Sequence, residues 1–162
     1  MDAYGKKFET KVKADLQRLD KAWVLRLPDQ MTGHIGTSQN LCDFLCFWKS
    51  KLFLLECKTT KENGFYFSSF RQYDILTGIA KDNIPNIYIG VIIWFTEADK
   101  IIYVPIQEAK RMKENGLKSI NIKSCLDGTY NIIDIPTTKK RVFFECDFSF
   151  LNTLIDYTQG DK

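Results

Sequence analysis

The segment CDFLCFWKSKLFLLECK, residues 42–58, carries the clearest structural signal in the chain. Two apolar runs rich in aromatic and aliphatic residues, 43–48 and 52–58, flank the short polar stretch 49–51. Apolar runs of this length joined by a short polar turn are typical of a β-hairpin. The segment therefore predicts two antiparallel strands at the centre of the fold.

Three charged residues of this hairpin fall on one face. Glu56 and Lys58 are two positions apart on a strand, so both side chains project to the same side. A turn at 49–51 places Asp43 opposite either Glu56 or Lys58, and both registers put its Cβ within roughly 5–8 Å of the glutamate Cβ. The same face continues in apolar residues that we expect to point inward: Leu45, Phe47, Leu52 and Leu54. The charged groups would thus gather at one open end of an apolar surface.

Two neighbouring carboxylates and an amine suit metal-dependent hydrolysis. Asp43 and Glu56 would repel each other unless a cation lay between them, and Mg²⁺ prefers oxygen ligands while keeping several waters. A metal-bound water is acidified and attacks a phosphodiester. Lys58 would orient or deprotonate that water, or stabilise the developing oxyanion. The hairpin therefore predicts a Mg²⁺ site with catalytic residues Asp43, Glu56 and Lys58.

An ordinary structural interpretation of the same residues stays open. Asp43 would simply begin a strand, and Glu56 and Lys58 would form a surface pair, since the spacing D-x12-E-x-K is common on its own. The run LFLLEC, however, is apolar on both faces. Desolvating a charged pair in such a strand is costly, and this favours a functional role.

Outside the hairpin, hydrophobic periodicity and turn residues predict a mixed sheet flanked by helices, an α/β fold of order α-β-β-β-α-β-β-α. At 162 residues, we expect one domain spanning 1–162. The expected elements are a helix at 5–20, a strand at 23–27, a loop at 28–41, a helix from Ser68 or Ser69 to about 81, strands at 87–95 and 100–104, a helix from Pro105 to about 116, short strands near 120, 130–135 and 142–145, and a helix at 149–157.

Composition narrows the class of protein. The chain is 44% hydrophobic and 27% charged, as ordinary globular proteins are. The absence of an apolar run of about 20 residues and the polar start MDAYGKKFETKVK favour a cytoplasmic protein without a membrane span. The net charge of +3 does not by itself indicate nucleic-acid binding, although cations cluster in residues 6–26, 110–123 and 139–141.

The cysteine and histidine counts argue against other metal chemistry. Five scattered cysteines are expected to be reduced and packed as small apolar residues. Cys42 and Cys46 lie too far apart along a strand to share a zinc ion. The single histidine, His34, excludes histidine-rich metal sites.

Several motifs resemble a known family. The order D…E-C-K on a hairpin, between a helix bearing glutamate and a second helix, resembles the PD-(D/E)XK nuclease superfamily. Within it, GKKFE at 5–9 resembles the Gly-x-x-Phe-Glu opening of RecU-type Holliday junction resolvases, and ECKTTK at 56–61 resembles their E-x-K-x-T-K. FRQY at 70–73 resembles the start of their glutamine-bearing helix, and FSFL at 148–151 is similar to their C-terminal segment.

The resemblance implies a restriction-endonuclease-like fold and a set of site residues. Glu9, Asp43 and Glu56 would be the acidic metal-site residues, Lys58 the catalytic lysine, and Gln72 a residue approaching the site from its helix. The ion would be Mg²⁺, with Mn²⁺ able to substitute. We further assign Lys61, His34 and Arg71 as DNA contacts.

The family also implies a biological role. A homodimer would place two sites on opposing strands of a four-way DNA junction during recombination and repair, in a phage or a Gram-positive bacterium. Cys42 stands where the superfamily has proline, and the loop 28–41 is a shorter DNA-engaging protrusion than the family's stalk. The shorter loop is expected to affect junction specificity more than cleavage.

Two alternative functions stay open. One is a nuclease of the same superfamily that acts on ends, nicks or unmodified duplex. The other is a DNA-binding module that has kept the fold without catalysis. Intact Asp43, Glu56 and Lys58 argue against the second, because binding alone does not require all three.

Overall fold

The computed structural model describes residues 3–28, 40–141 and 143–156. Its helices and strands are α1 Ala3–Leu16, β1 Trp23–Arg26, β2 Phe44–Trp48, β3 Lys51–Thr60, β4 Gly64–Tyr66, α2 Tyr73–Ala80, β5 Ile87–Phe95, β6 Lys100–Pro105, α3 Ile106–Glu114, β7 Ser119–Asn121, α4 Ile122–Leu126, β8 Ile133–Asp134, β9 Thr137–Lys139 and β10 Phe144–Cys146. Two 3₁₀ turns, Phe67–Ser69 and Ser149–Thr153, complete the described elements.

A mixed six-stranded sheet forms the centre of the structure, in the order β1-β2-β3-β5-β6-β8. Strands β3 and β5 run parallel and the other neighbours are antiparallel. Strands β4 and β7 form one separate ribbon, and β9 and β10 another. The α/β class and the mixed sheet flanked by helices are therefore confirmed.

The predicted hairpin is present and its register is defined. Phe44 pairs with Leu55 and Trp48 with Lys51, so Asp43 stands opposite Glu56 one step beyond the last paired residues. The turn consists of Lys49 and Ser50, whose φ angles are +49° and +63°. Left-handed residues at both central positions give a turn whose twist matches that of the strands, and this sets the register. The alternative pairing of Asp43 with Lys58 is not observed.

The two faces of the sheet bury separate apolar clusters. Helix α1 packs Phe8, Val12 and Leu16 against the face that carries Phe44 and Cys46. Helices α2 and α3 cover the opposite face, which carries the remaining alternate residues of the hairpin. Each face of the central strands is thereby buried, which explains their nearly continuous apolar sequence.

The expectation for the Glu56 face is confirmed in part. Leu45, Leu52 and Leu54 pack within the cluster beneath α2 and α3. Phe47 is 48% exposed, so its inward placement was wrong. The physical reason is the position of the helices, because α2 and α3 lie against β5 and β6 rather than over the outer end of β2.

Several elements differ from the expectation because distant residues pair or bind the chain. Residues 64–66 form a strand with 119–121, so the polar loop expected after Lys58 is short and the helix begins only at Tyr73. Ser68 and Ser69 belong to a 3₁₀ turn and do not cap that helix. The first helix ends at Leu16 rather than near residue 20. Pairing of β4 with β7, followed by the 3₁₀ turn, takes the place of the helix start expected at Ser68 or Ser69.

The expected terminal helix at 149–157 was also wrong. The chain forms a 3₁₀ turn that ends at Thr153. Lys51 Nζ donates hydrogen bonds to the carbonyl oxygens of Asn152 and Leu154, at 3.0 and 2.9 Å. Leu154 is extended, with φ and ψ of -66° and 136°, so the chain leaves the helical conformation there. The lysine binds the carbonyl oxygens that this turn leaves exposed.

Cys42, Cys46, Cys57 and Cys146 are buried free thiols, as expected. Along the described parts of the chain, helices that combine the length and the apolar character needed to cross a bilayer are absent.

Gly90 provides a direct test of the packing at the sheet. A Cβ at this position would lie 2.2 Å from Cε2 of Tyr103, whose ring is 1% exposed. Because overpacking a dense core costs about 1–3 kcal/mol, we expect Gly90→Ala to lower the free energy of unfolding by about 2 kcal/mol in urea denaturation. Gly78→Ala is the matched control: a Cβ there meets nothing within 4 Å, and alanine in a helix should stabilise by about 0.5–1 kcal/mol. A Gly90→Ala protein as stable as the wild type would contradict the placement of Tyr103.

Candidate active site

Asp43 and Glu56 meet where the hairpin enters the sheet. Asp43 immediately precedes β2, and its backbone N–H donates to the carbonyl oxygen of Leu55 at 3.1 Å. Its carboxylate atom Oδ2 accepts a hydrogen bond from the backbone N–H of Cys57 at 2.7 Å. Asp43 is therefore fixed by the residues on either side of Glu56 rather than free at the mouth of a loop.

Glu56 is a buried carboxylate with one oxygen in use. The residue is 1% exposed, and its Oε1 lies 2.7 Å from Nζ of Lys58. Its Oε2 is buried and has no hydrogen-bond partner among the described residues. A buried charged oxygen left in this state is costly, and such atoms in native proteins commonly contact water or an ion. The unpaired Oε2 therefore fits a cation bound beside Asp43.

Lys58 links the glutamate to helix α2. Besides Glu56, its Nζ donates to Oε1 of Gln72 at 3.1 Å and lies 6.0 Å from the centre of the Phe70 ring. Its side chain is 20% exposed. The structure thus brings Gln72, the residue just before α2, to the lysine, and the amine faces both the carboxylate and solvent.

Burial raises the pKa of both carboxyl groups. The pKa of Asp43 rises to about 6 through burial and the charge of Glu9, while the Cys57 N–H, Lys58 and Arg26 act in the opposite direction. The pKa of Glu56 rises to about 7 through burial and the charge of Asp43, and Lys58 opposes this. Both pKa values are raised because two acids are held out of water and close together. A divalent cation between the carboxylates would offset that cost, and it would displace their protons as it binds.

Glu9 occupies a different position from the other two acids. It is 4% exposed, and its Oε2 accepts hydrogen bonds from Nη2 and Nε of Arg26 at 2.5 and 3.2 Å. Its charge raises the pKa of both Asp43 and Glu56, so it lies within electrostatic reach of the pair. Within the described ranges, no group of three or more Asp, Glu, His and Cys side chains is placed to hold a metal. The role of Glu9 as a ligand stays a prediction.

Neither the family models nor the curated proteins include a match to this chain. Among solved structures, the chain is similar to Hjc, a Holliday junction resolvase from the archaeal hyperthermophile Archaeoglobus fulgidus. The two are 20% identical, the match covers 74% of this chain and 89% of the other, and the TM-score is 0.47. Nothing about the chemistry of this chain follows from a similarity of this size.

The predicted DNA contacts fall into two groups. Lys61 and Arg71 are exposed, on the bend after β3 and just before α2. His34, with residues 29–39 of the predicted loop, lies outside the described residues.

Sequence reasoning missed Arg26 and the backbone of Cys57. Arg26 is the last residue of β1 and the ion-pair partner of Glu9. In the sequence, Arg26 is only a lone cation at the end of a short strand. Its pairing with Glu9 becomes visible only when helix α1 is packed beside β1. The hydrogen bond from the Cys57 N–H comes from the backbone, so the identity of the side chain does not predict it.

Proposed function

We propose that this chain is a metal-dependent endodeoxyribonuclease of the PD-(D/E)XK superfamily that resolves four-way DNA junctions. The observation that carries the proposal is the buried, unpaired Oε2 of Glu56, which stands opposite Asp43 while Lys58 binds the other oxygen. A structural ion pair would satisfy both oxygens, whereas a metal site leaves one of them for the ion.

Asp43 and Glu56 would hold the ion, which we propose to be Mg²⁺, with Mn²⁺ able to replace it. When bound, the ion would acidify a water and neutralise charge on the phosphate. The hydrogen bond from the Cys57 N–H fixes the Asp43 carboxylate beside the strand that carries Glu56. Burial of both acids excludes bulk water and strengthens their electrostatic interactions.

Lys58 would serve the reacting phosphate. Gln72 Oε1 accepts a hydrogen bond from Nζ at 3.1 Å, so the amine keeps one fixed partner when the glutamate turns to the ion. The third N–H of the amine is then available to the attacking water or to a phosphate oxygen. We propose Lys58 as the catalytic lysine and Gln72 as the residue that positions it.

Glu9 would be the third acidic residue of the site. Arg26 holds its carboxylate in the described structure. If Arg26 turned toward a DNA phosphate, Glu9 would be released to the ion, directly or through a water. Arg26 would then couple DNA binding to completion of the metal site.

We propose branched DNA in the cytoplasm as the substrate and a homodimer as the active form. Resolution of a junction requires two symmetric cuts, and two copies supply two sites. Apolar side chains exposed on neighbouring strands β1 and β2 support a protein interface: Trp23, Leu25 and Phe47 are 53%, 40% and 48% exposed. Trp23 and Phe47 are directly paired across these strands.

The proposal predicts paired nicks in a four-way junction. Purified protein is incubated with labelled junction, linear duplex and single strand, each with Mg²⁺ and with EDTA. We expect symmetric nicking of the junction with Mg²⁺ only. Degradation of linear DNA would instead indicate a superfamily nuclease of other specificity. Tight junction binding without product in Mg²⁺ or Mn²⁺ would indicate a non-catalytic DNA-binding module.

A further inference from the structure

The ribbon of β4 and β7 is joined rigidly to the candidate site. Strand β4 begins four residues after the end of β3, and the chain then passes through a 3₁₀ turn to Gln72. The rings of Phe65 and Phe70 pack with centres 5.8 Å apart, and Nζ of Lys58 lies 6.0 Å from the Phe70 ring. The ribbon therefore has a fixed position relative to the lysine.

The outer face of the ribbon carries one exposed aromatic ring. Phe65 pairs with Ile120 and both are buried, so the alternate residues face outward. Tyr66 is 48% exposed on this outer side. Beside it, a Cβ on Gly64 would lie only 3.0 Å from Oγ of Ser119, so glycine keeps the surface low at this point.

The segments that form and adjoin the ribbon are rich in cations. Segments 61–71 and 117–124 contain four cations, Lys61, Arg71, Lys118 and Lys123, against the single carboxylate of Glu62. Their net charge of +3 equals that of the whole chain. All four cations are exposed, and none forms an ion pair with another described residue. An aromatic ring among unpaired cations complements a nucleic acid.

Backbone hydrogen bonds place the two lysines of the second segment beside the first. The carbonyl oxygen of Lys118 accepts from the Phe67 N–H at 3.1 Å. Ile122, the neighbour of Lys123, donates its N–H to the carbonyl oxygen of Asn63 at 3.1 Å. Lys118 and Lys123 thus flank the ribbon at its two ends.

We infer that the outer face of the β4–β7 ribbon is a DNA-binding surface that recognises the branch point. Lys118 and Lys123 contact phosphates, and the Tyr66 ring stacks on a base left without a neighbour at the branch. Inside a continuous duplex each base is covered on both faces, so this ring finds an uncovered base at a branch but not along the length of a duplex. This inference rests on the proposed function and gives it a source of specificity separate from Asp43, Glu56 and Lys58.

Tyr66 is tested by binding in EDTA, where cleavage does not interfere. Affinity for a four-way junction and for linear duplex is measured by fluorescence anisotropy. We expect Tyr66→Ala to weaken junction binding about tenfold, because the stacking contact with a base is lost, and to leave duplex binding within about twofold. Tyr66→Phe keeps the ring and should bind as the wild type does.

The lysines are tested by salt dependence. Lys118→Gln/Lys123→Gln should weaken junction and duplex binding together by about tenfold and reduce the slope of log affinity against log salt by about 2. The matched control is Lys49→Asn/Lys81→Gln, which removes two exposed charges at the opposite end of the sheet and should change neither quantity.

The outcomes separate this inference from the proposed function. If the wild type binds and nicks junctions while the ribbon variants behave as the control does, the ribbon inference is overturned and the nuclease proposal stands. If the ribbon variants lose junction binding but the wild type never cleaves, the ribbon inference is supported and the nuclease proposal is overturned. A wild type that binds no DNA overturns both.

Discussion

Asp43→Asn is expected to abolish junction cleavage, by at least about 1000-fold, while junction affinity stays within about twofold of the wild type. Asparagine has nearly the same shape, and its side-chain oxygen can still accept the Cys57 N–H that binds Asp43 at 2.7 Å. The lost negative charge removes the ion, which contributes several kcal/mol of transition-state stabilisation in metal-dependent hydrolysis. Single-turnover cleavage of a labelled junction measures the first effect, and anisotropy in EDTA the second.

A second readout of the same variant does not depend on activity. Mg²⁺ should raise the thermal unfolding midpoint of the wild type, because a ligand that binds only the folded state stabilises it. The Asp43→Asn protein should show no such rise. Asp82→Asn makes the same chemical change at an exposed position and should retain both cleavage and the Mg²⁺ effect. Full cleavage by Asp43→Asn would mean that another aspartate carries the chemistry.

The part of this site that sequence predicts well is local. Both strands of the hairpin follow from apolar runs of residues around a polar turn, and their spacing leaves only two registers for Asp43. Choosing between those registers requires the φ angles of Lys49 and Ser50, which the amino-acid sequence does not specify. Once Asp43 is opposite Glu56, the shared face of Glu56 and Lys58 is a consequence of strand geometry.

The remainder depends on contacts between distant segments. The β4–β7 ribbon pairs Gly64 with Asn121 through only three residues on each strand, too few to produce a recognisable pattern. The Glu9–Arg26 pair forms because helix α1 packs beside β1. Lys51 binds the carbonyl oxygens of Asn152 and Leu154, about a hundred residues away, in a turn that stands where the terminal helix was expected. Each of these features is set by packing rather than by local preference.

Glu56→Gln is expected to abolish cleavage and, at the same time, to stabilise the metal-free protein at about pH 8. The pKa of Glu56 is about 7 in the folded protein against an ordinary value of 4.5, so the folded state binds the proton more tightly than the unfolded state. A raised carboxyl pKa lowers stability as pH rises from about 4.5 through 7, and below about 4.5 the protonated group carries no such cost. Glutamine is neutral at every pH, and we expect it to raise the free energy of unfolding at about pH 8 by about 2 kcal/mol.

Urea denaturation in EDTA at about pH 8 and again at about pH 4.5 measures this difference. The gain from Glu56→Gln should be present at the higher pH and nearly absent at the lower one. Glu62→Gln, at an exposed position, should change neither value. Adding Mg²⁺ at about pH 8 should stabilise the wild type but not Glu56→Gln, because the ion offsets the cost of the buried carboxylate only where that carboxylate exists. A Glu56→Gln protein less stable than the wild type at about pH 8 would show that Glu56 is already satisfied without an ion, as an ordinary structural ion pair would be.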